Sequence, residues 1–436
     1  MITKWKRVRT AGALALLLSL FSLTLPGLAA PWVQTTSLPE GFTEHSMVYA
    51  SGFLYHAGGF SIAQGESARV FYSQVQSNGT IGAWNVTTPL PAIILDHAGV
   101  SANGFVYVLG GNQYTPGSND WGAGYYTTTN TVYYSQINSN GSLGTWQTAT
   151  PLPQSAYWLS AAVWNNRIYV IGGLNVNGQA NISNVYSAMI QADGSLSPWI
   201  TQRPLPDAVY AYEVANGMLY VLGGAVNSGT TVQNKVYYST INADGTLGVW
   251  NQTTPLPQPL SNGGAVAAGG RVFMMGGWTG TSATSSVYTA PVAGDGSLGS
   301  WSVGPALYRE LYLHAVAVTD SHIFLSGGQS AVQTESAVYS MALPLPPAAP
   351  AIVSRSFTNG NFQLGLAAQT NTGFGLLAST NLTDWQRIAA GFTGTNGVLF
   401  LQDTKRRQFP PPLLPCLLAA AVADAAASRQ SAANKK

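Results

Sequence analysis

The stretch Phe105-Val-Tyr-Val-Leu-Gly-Gly111 is an apolar run that stops at two glycines, and it recurs five more times along the 436-residue chain. The second glycines of the six pairs are residues 59, 111, 173, 224, 277 and 328, so the intervals are 52, 62, 51, 53 and 51 residues. A period near fifty residues is typical of a repeat architecture, in which each unit packs against its neighbours. The sequence therefore predicts six similar structural units.

Each interval carries the same parts in the same order. An aromatic strand follows the glycines, as at residues 132–135, and an Asn-Gly or Asp-Gly turn comes next, as at Asn140-Gly141. These dipeptides are strong hairpin signals because both turn residues can adopt a positive φ. A single Trp such as Trp146 and, in most units, a Pro-Leu-Pro segment complete the unit. Four short antiparallel strands per unit predict the blades of an all-β propeller.

The glycine pair, the Tyr that follows it and the Trp beyond resemble the kelch repeat over residues 32–343. The resemblance implies a six-bladed propeller with strands a to d in each blade, counted outward from a central channel. It places the glycine pair at the end of strand b, the Tyr in strand c and the Trp in strand d. The sixth unit lacks this Trp, whereas Trp32-Val-Gln-Thr-Thr-Ser-Leu-Pro39 repeats the same segment ahead of the first unit. We expect this N-terminal strand to complete the sixth blade and to remove unpaired sheet edges.

Residues 1–29 are expected to be a cleaved secretory signal, since basic residues precede an apolar run and a small-residue cleavage region. An uncleaved membrane anchor is the alternative, although the run is short for a span of about 20 residues. No other segment of the sequence is predicted to cross a membrane. Charged residues make up 8% of the chain and the net charge is +2, so no basic surface for nucleic acid is expected. The predicted location is extracellular or periplasmic.

The propeller, predicted over residues 31–343, is followed by a Pro-rich linker at 344–350. A small β-sandwich-like module is expected over 351–409, because Ala378-Ser-Thr-Asn-Leu-Thr-Asp-Trp385 resembles C-terminal modules of secreted bacterial multidomain proteins. Residues 410–436 depart from that pattern. Either a one-base frameshift near Pro410 produces this tail, or it is a genuine disordered tail. Its Cys416 is the only cysteine, so no disulfide framework is predicted.

Standard catalytic, phosphate-binding and metal-binding motifs are absent from the sequence, and no cofactor is predicted. Positions that differ between the six units were therefore compared. They concentrate at the start of strand a, where the d–a and b–c loops are expected to share one face of the propeller. The candidate binding residues on this face are Trp121, Trp158, Glu44, His45, Asp96, His97, Tyr210, Glu213, Arg309 and His314.

Two kinds of candidate leave alternatives open. His45, His97 and His314 would lie in three adjacent blades of a closed ring, where they either pack between blades or line the channel mouth. Three His side chains can bind a metal in principle, but no metal site is predicted. Glu213 stands where the other units have Val or Ala. Its carboxylate either faces a wet channel or is a functional acid with a raised pKa.

The sequence thus predicts a secreted binding module that presents an aromatic, weakly charged face to a glycan, a peptide or a surface ligand. Trp121 and Trp158 are the expected stacking platforms, since aromatic rings bury apolar area and leave polar edges wet. Six-bladed kelch-like propellers include epimerases for sialic acid, so a sugar epimerase or mutarotase on the same face is the alternative. A structural surface component is a third reading. The sequence indicates neither the ligand nor the oligomeric state.

Overall fold

The computed structural model describes residues 31–117, 124–175, 181–215 and 217–343, together with five strands between residues 351 and 403. Residues 210–215 and those five strands are described by their backbone. The predicted leader at 1–29, the linker at 344–350 and the tail at 410–436 lie outside the described residues. Every helix or strand in the described part is a β-strand, so the predicted all-β class is confirmed.

Each blade is an antiparallel sheet in which strands a, b, c and d pair in that order. From blade one to blade six, the inner strands a are Ser46–Ala50, Ala98–Ala102, Ser160–Trp164, Tyr210–Ala215, Gly264–Ala268 and Ala315–Val318. Strands b are Phe53–Ala57, Phe105–Leu109, Arg167–Ile171, Met218–Val226, Arg271–Met275 and His322–Ser326. Strands c are Val70–Gln74, Val132–Gln136, Val185–Met189, Val236–Thr240, Val287–Pro291 and Val338–Ala342. The outer strands d are Asn85–Val86, Gln147–Thr148, Ile200–Thr201, Asn251–Thr253, Ser302–Val303 and Val33–Thr35.

The inner strands form a closed ring, because strand a of every blade contacts strand a of both neighbouring blades. The outer strand of the sixth blade comes from the other end of the repeats. Val33–Thr35 pairs antiparallel with Val338–Ala342, with Val33 opposite Ser340. The sixth sheet is thus built from both ends of the propeller chain.

Strand b is covered on both faces by neighbouring blades, which is why its sequence is almost continuously apolar. All five residues of Phe105–Leu109 are buried. The strand ends at Gly110 and Gly111, whose φ angles are 60° and 95°. A Cβ on Gly110 would lie 2.8 Å from the carbonyl oxygen of Ala156, and one on Gly111 would lie 2.6 Å from that of Leu95. The pair is required because the chain turns with positive φ while it presses against neighbouring backbone.

The repeated Trp side chains connect each blade to the preceding one. Every Trp stands immediately before strand d, and its Nε1 donates to the backbone carbonyl just ahead of the Pro-Leu-Pro segment, or its equivalent, in the preceding blade. The six bonds are Trp84 to Thr36, Trp146 to Thr88, Trp199 to Thr150, Trp250 to Arg203, Trp301 to Thr254 and Trp32 to Pro305. The central Leu of each of these segments, such as Leu152, is buried. The spacing of Trp and Pro-Leu-Pro thus reflects a contact between blades.

A Tyr in strand b makes the converse contact with the following blade. The hydroxyls of Tyr55, Tyr107, Tyr169 and Tyr220 donate to the carbonyls of Gly141, Gly194, Gly245 and Gly296, at 2.7 to 2.9 Å. These glycines belong to the Asn-Gly and Asp-Gly turns. Blade five has Phe273 at this position, and blade six, which follows it, takes its outer strand from the start of the chain and lacks such a turn. Blade six has Phe324 at this position although blade one carries an Asn-Gly turn, so the Tyr contact is made at four of the six junctions between blades.

This pairing predicts that the propeller is destabilised both when the hydroxyl is removed from a Tyr of this set and when a hydroxyl is added to Phe273. Tyr107→Phe leaves the Gly194 carbonyl unpaired and should lower the free energy of unfolding by about 1–3 kcal/mol. Phe273→Tyr buries a hydroxyl at a position that is 2% exposed and should also destabilise. Chemical denaturation of both variants measures the effects. A Phe273→Tyr variant as stable as the parent would show that an acceptor or a water is within reach.

An additional sheet extends the second blade on the d–a face. Asn112–Thr115 and Tyr125–Thr128 form a hairpin, and Ile93–Leu95 pairs with its first strand. This hairpin lies in the longest interval between glycine pairs, the 62 residues from Gly111 to Gly173. Beyond the propeller, Ala351–Thr358, Asn361–Ala367 and Val398–Asp403 form one sheet, and Gly373–Ala378 pairs with Gln386–Phe392. These strands lie within the predicted C-terminal module, whose boundaries at 351 and 409 stay a prediction.

Candidate functional site

The second residue before strand a has an unusual backbone in five of the six blades. Glu44, Asp96, Trp158, Asn262 and Leu313 have φ angles of 59°, 59°, 51°, 52° and 55°. We call these five residues the mouth ring. Non-glycine residues in the left-handed region cost roughly 1 kcal/mol or more each, and they cluster at functional sites. The blades therefore hold five side chains in a strained conformation around the axis of the propeller.

Backbone hydrogen bonds connect the mouth ring from blade to blade. The amide of Leu313 donates to Asn262 at 2.7 Å, and that of Glu44 donates to Leu313 at 3.4 Å. The amide of Asp96 donates to Glu44 at 3.0 Å, and that of Trp158 donates to Asp96 at 2.9 Å. Four of the five residues thus accept the amide of the next mouth-ring residue, and these bonds offset part of the backbone strain.

A cavity of about 130 Å³ opens at the mouth ring. Its lining combines the five mouth-ring residues with the residue that follows each of them and with Ser160, the first residue of strand a in blade three. The sequence-predicted site residues that the structure brings together here are Glu44, His45, Asp96, His97, Trp158 and His314. The cavity also includes Asn262 and Leu313, which the sequence comparison placed at equivalent positions but did not single out.

Asp96 is held by two neutral donors from different elements. The indole Nε1 of Trp158 donates to its Oδ1 at 2.6 Å, and Nδ2 of Asn112 donates to its Oδ2 at 3.1 Å. Burial raises the pKa of Asp96 to about 6, although these two hydrogen bonds act in the opposite direction. The Trp158 ring also lies 5.3 Å from that of Tyr157. Trp158 therefore orients the Asp96 carboxyl group and also contributes an aromatic ring to the cavity lining.

Glu44 is the most perturbed carboxyl group of the mouth. Burial, together with the charges of the nearby Asp96 and Glu66, raises the pKa of Glu44 to about 8. Glu66 lies in the hairpin of the first blade, and its carboxylate accepts the hydroxyl of Tyr126 from the hairpin of the second blade. Strongly perturbed carboxyl groups in a cleft are typical of functional sites.

The three His side chains of the cavity are wedged between blades. His45, His97 and His314 are 6 to 7% exposed, and each Cε1 lies against the first glycine of the pair in the preceding blade. Nε2 of His45 bonds Ser326 at 3.0 Å, and that of His97 bonds Ser46 at 2.9 Å. Burial lowers the pKa of His45 to about 3 and those of His97 and His314 to about 4. They are neutral near pH 7, and in the described residues no three His, Cys, Asp or Glu side chains group as a metal site.

A fourth His is buried without polar partners next to this cluster. His56 is fully buried, neither ring nitrogen forms a hydrogen bond, and its ring lies 4.3 Å from Phe42 and 4.5 Å from His45. The other blades have only apolar residues at this position, namely Val108, Val170, Val221, Met274 and Leu325. Burial lowers the pKa of His56 well below its ordinary value.

His56 predicts a pH dependence of stability. The unfolded chain binds a proton at this residue below about pH 6.5, whereas the folded chain does not, so the propeller should lose stability as the pH falls below that value. His56→Leu, which copies Leu325, should raise the melting temperature at pH 5 and change it little at pH 8. Thermal unfolding between these pH values measures the slope. His322→Gln, at a less buried site, is the control, and parallel curves for His56→Leu and the parent would contradict the prediction.

The remaining predicted site residues lie elsewhere or are described less completely. Trp121 lies outside the described residues. Tyr210 and Glu213 lie on the inner strand of blade four, whose pairing with strand b shifts between Tyr210 and Tyr212. Arg309 is not part of the cavity lining; its Nη1 pairs with Oε1 of Glu335 at 2.6 Å, and its guanidinium lies over the ring of Tyr308.

Comparisons with known proteins agree with this geometry. No protein-family model matches the chain. It is 28% identical to mouse kelch-like protein 40 over 43% of this chain and 28% of that protein, and 23% identical to beta-scruin of Limulus polyphemus over 44% and 21%. Human kelch-like protein 23 is 24% identical over 54% of this chain and 46% of that protein. The chain therefore spans less than half the length of these relatives.

A solved structure shows the same fold. The structure of YjhT superimposes with a TM-score of 0.55 and 14% identity, over 70% of this chain and 95% of that chain. The repeats, the blades and the mouth define a β-propeller with a polar cavity at one end of its axis. The chain is similar to kelch-repeat proteins, as the resemblance predicted. In the described residues no helix has the length and apolar character needed to cross a membrane.

Proposed function

We propose that this chain is an interaction module that binds a partner polypeptide at the mouth ring. Its relationship to kelch-repeat proteins supports an interaction role. A concave site that combines convergent polar groups, an aromatic ring and carboxyl groups of perturbed pKa is a candidate binding site. In this proposal the leader at 1–29 sends the module out of the cytoplasm, and the C-terminal module serves as an accessory domain.

The observation that carries this proposal is the contrast between the two faces of the propeller. On the face of the Asn-Gly and Asp-Gly turns, five blades repeat one arrangement, in which the Asn or Asp side chain accepts the amide two residues later. On the mouth face, by contrast, one repeated backbone position carries a different side chain in each of five blades, namely Glu44, Asp96, Trp158, Asn262 and Leu313. Five different side chains in one strained conformation indicate selection for the side chains, because packing alone would favour Gly there.

A peptide-display selection on the full chain tests the proposal. Binders from a random peptide library are measured against the parent, Trp158→Ala and the control Ile200→Ala, which truncates a half-exposed side chain on an outer strand. Trp158→Ala removes a ring of the mouth and its hydrogen bond to Asp96. Most binders should lose at least tenfold in affinity with Trp158→Ala and less than twofold with Ile200→Ala.

The same variants also show which results would contradict a peptide site. Binders that are insensitive to Trp158→Ala, or a complete absence of binders, would contradict a peptide site at the mouth. A glycan array probed in parallel with both variants covers the carbohydrate ligand predicted from the sequence. A glycan that binds in a Trp158-dependent manner, without any peptide that does so, would replace the polypeptide partner by a sugar.

A sugar epimerase or mutarotase is the second candidate function, and the carboxyl pair of the mouth favours it. With pKa values of about 8 for Glu44 and about 6 for Asp96, one group is largely protonated and the other ionised near pH 7. Proton transfer at a sugar carbon or ring oxygen needs such an acid and base within one pocket. Exchange between anomers of reducing sugars, followed by NMR, tests it. Glu44→Gln should abolish any acceleration.

A further inference from the structure

The charges around the mouth ring are of one sign. Glu44 and Asp96 come from the d–a connections of adjacent blades, and Glu66 comes from the hairpin above them. The ion pairs in the described part of the chain are Arg69 with Glu40, Lys235 with Asp207 and Arg309 with Glu335. None of them involves the three acidic groups of the mouth. Glu44 and Asp96 thus line one cavity, Glu66 lies near enough to raise the pKa of Glu44, and none of the three forms an ion pair in the described part of the chain.

A second observation indicates what the cavity accepts. His314 is 6% exposed and lines the cavity, and its Nε2 forms no hydrogen bond. In blade two the equivalent Nε2 of His97 bonds Ser46, but blade five has Gly264 at the corresponding place, close to Nε2 of His314. Because burial lowers the pKa of His314 to about 4, its ring is neutral and Nε2 can serve as an acceptor. Nε2 of His314 can therefore accept a donor that enters the cavity, whereas the Asp96 carboxyl group already accepts the donors of Trp158 and Asn112.

We infer that the mouth ring binds the positively charged end of a Lys or Arg side chain of the partner polypeptide. This inference rests on the proposed function and names its chemistry. An ammonium or guanidinium group supplies several N–H donors and the missing positive charge, and charge-assisted hydrogen bonds are about twice as strong as neutral ones. The cavity of about 130 Å³ has room for such a group at its open end. The Trp158 ring at the rim lies where the aliphatic stem of the side chain can pack.

Binding should tighten as the pH rises. The cation needs ionised carboxylates, and burial raises the pKa of Glu44 to about 8 and that of Asp96 to about 6. The other charged or titratable groups that face this pair are Glu66, Tyr126, His45, His97 and His314. The His side chains stay neutral above pH 6 because burial lowers the pKa of each. A Lys side chain stays protonated to about pH 10, so affinity for it should rise between pH 6 and pH 9.

The test uses the full chain and defined peptides. Acetyl-Gly-Gly-Lys-Gly-Gly-amide is titrated by NMR alongside its Arg, acetyl-Lys and Glu counterparts. Glu44→Gln and Asp96→Asn each remove one carboxylate with little change in shape. Asp244→Asn is the matched control, because it removes the same charge on the opposite face, where Asn78 and Asn140 occupy the equivalent turn position.

The Lys and Arg peptides should bind, and acetylation of Lys should weaken binding at least tenfold. Glu44→Gln and Asp96→Asn should each cost at least tenfold, and Asp244→Asn less than twofold. Equal binding of the acetyl-Lys or Glu peptide overturns the inference, and this comparison needs no protein variant. Equal losses with Asp244→Asn also overturn it, because they would indicate only long-range charge. Calcium chloride that shifts the mouth resonances when the Lys peptide does not would assign the site to a metal ion.

These outcomes separate the inference from the proposed function. Display-selected peptides that depend on Trp158 but contain no basic residue would refute the cation site and leave the interaction module intact. Peptides that do not depend on the mouth would refute both. Selected peptides that contain a Lys or Arg and lose affinity with Asp96→Asn support both.

Discussion

Deleting residues 32–38 should prevent the propeller from folding stably, with a melting temperature at least about 10 °C lower or an insoluble product. The deletion removes Val33–Thr35, so Val338–Ala342 loses its outer partner. It also removes Trp32, whose Nε1 donates to Pro305 in blade five, and the buried Leu38. Thr36 accepts the indole of Trp84 in blade one. The segment thus joins blades five, six and one, and its loss opens the ring.

Two controls distinguish ring closure from a general sensitivity of the N-terminal region. Val33→Ala truncates a side chain that is 55% exposed, so it should change the melting temperature by no more than about 2 °C. Truncation after Pro350 removes the strands beyond the propeller and should leave its unfolding transition in place. Circular dichroism and size-exclusion chromatography report both quantities. A deletion variant that melts with the parent would show that the ring does not depend on this strand.

Trp146→Ala should cost about 3–5 kcal/mol, the usual range for a large buried aromatic side chain. Trp146 is 7% exposed and packs in the core between blades one and two. Its Nε1 donates to the carbonyl of Thr88 at 2.9 Å, so the change creates a cavity and leaves an acceptor unpaired. For a domain of this size the melting temperature should fall by roughly 10 °C.

Other Trp variants separate packing from hydrogen bonding. Trp146→Phe keeps most of the volume and should recover more than half of the lost stability. Trp84→Ala removes the same repeated residue at a partly buried position, so it should cost less than Trp146→Ala. Equal losses for Trp84→Ala and Trp146→Ala, measured by chemical denaturation, would mean that the indole hydrogen bond rather than burial decides the effect.

The candidate site was only partly predictable. Equivalent positions in the repeats led directly to Glu44, Asp96 and Trp158, because blade-specific residues stand out against a regular pattern. The roles of these residues depended on contacts across blades. Trp158 was expected to be a stacking platform and also donates to Asp96, whereas Arg309 was expected among the anchors and pairs with Glu335. Glu66 and Asn112 have no repeat signal, since they belong to hairpins that differ from blade to blade.

The amino-acid sequence by itself determined the all-β class, the kelch repeat and the order of the strands in each blade. It could do so because turns, glycine pairs and apolar runs act locally, and their repetition makes each local signal stronger. The left-handed backbone of the mouth ring, the shared carboxyl cavity and the neutral state of the buried His side chains were decided only by the tertiary structure. Residues 44 and 96 are 52 positions apart in the chain, and it is closure of the ring that desolvates their carboxyl groups and places them side by side.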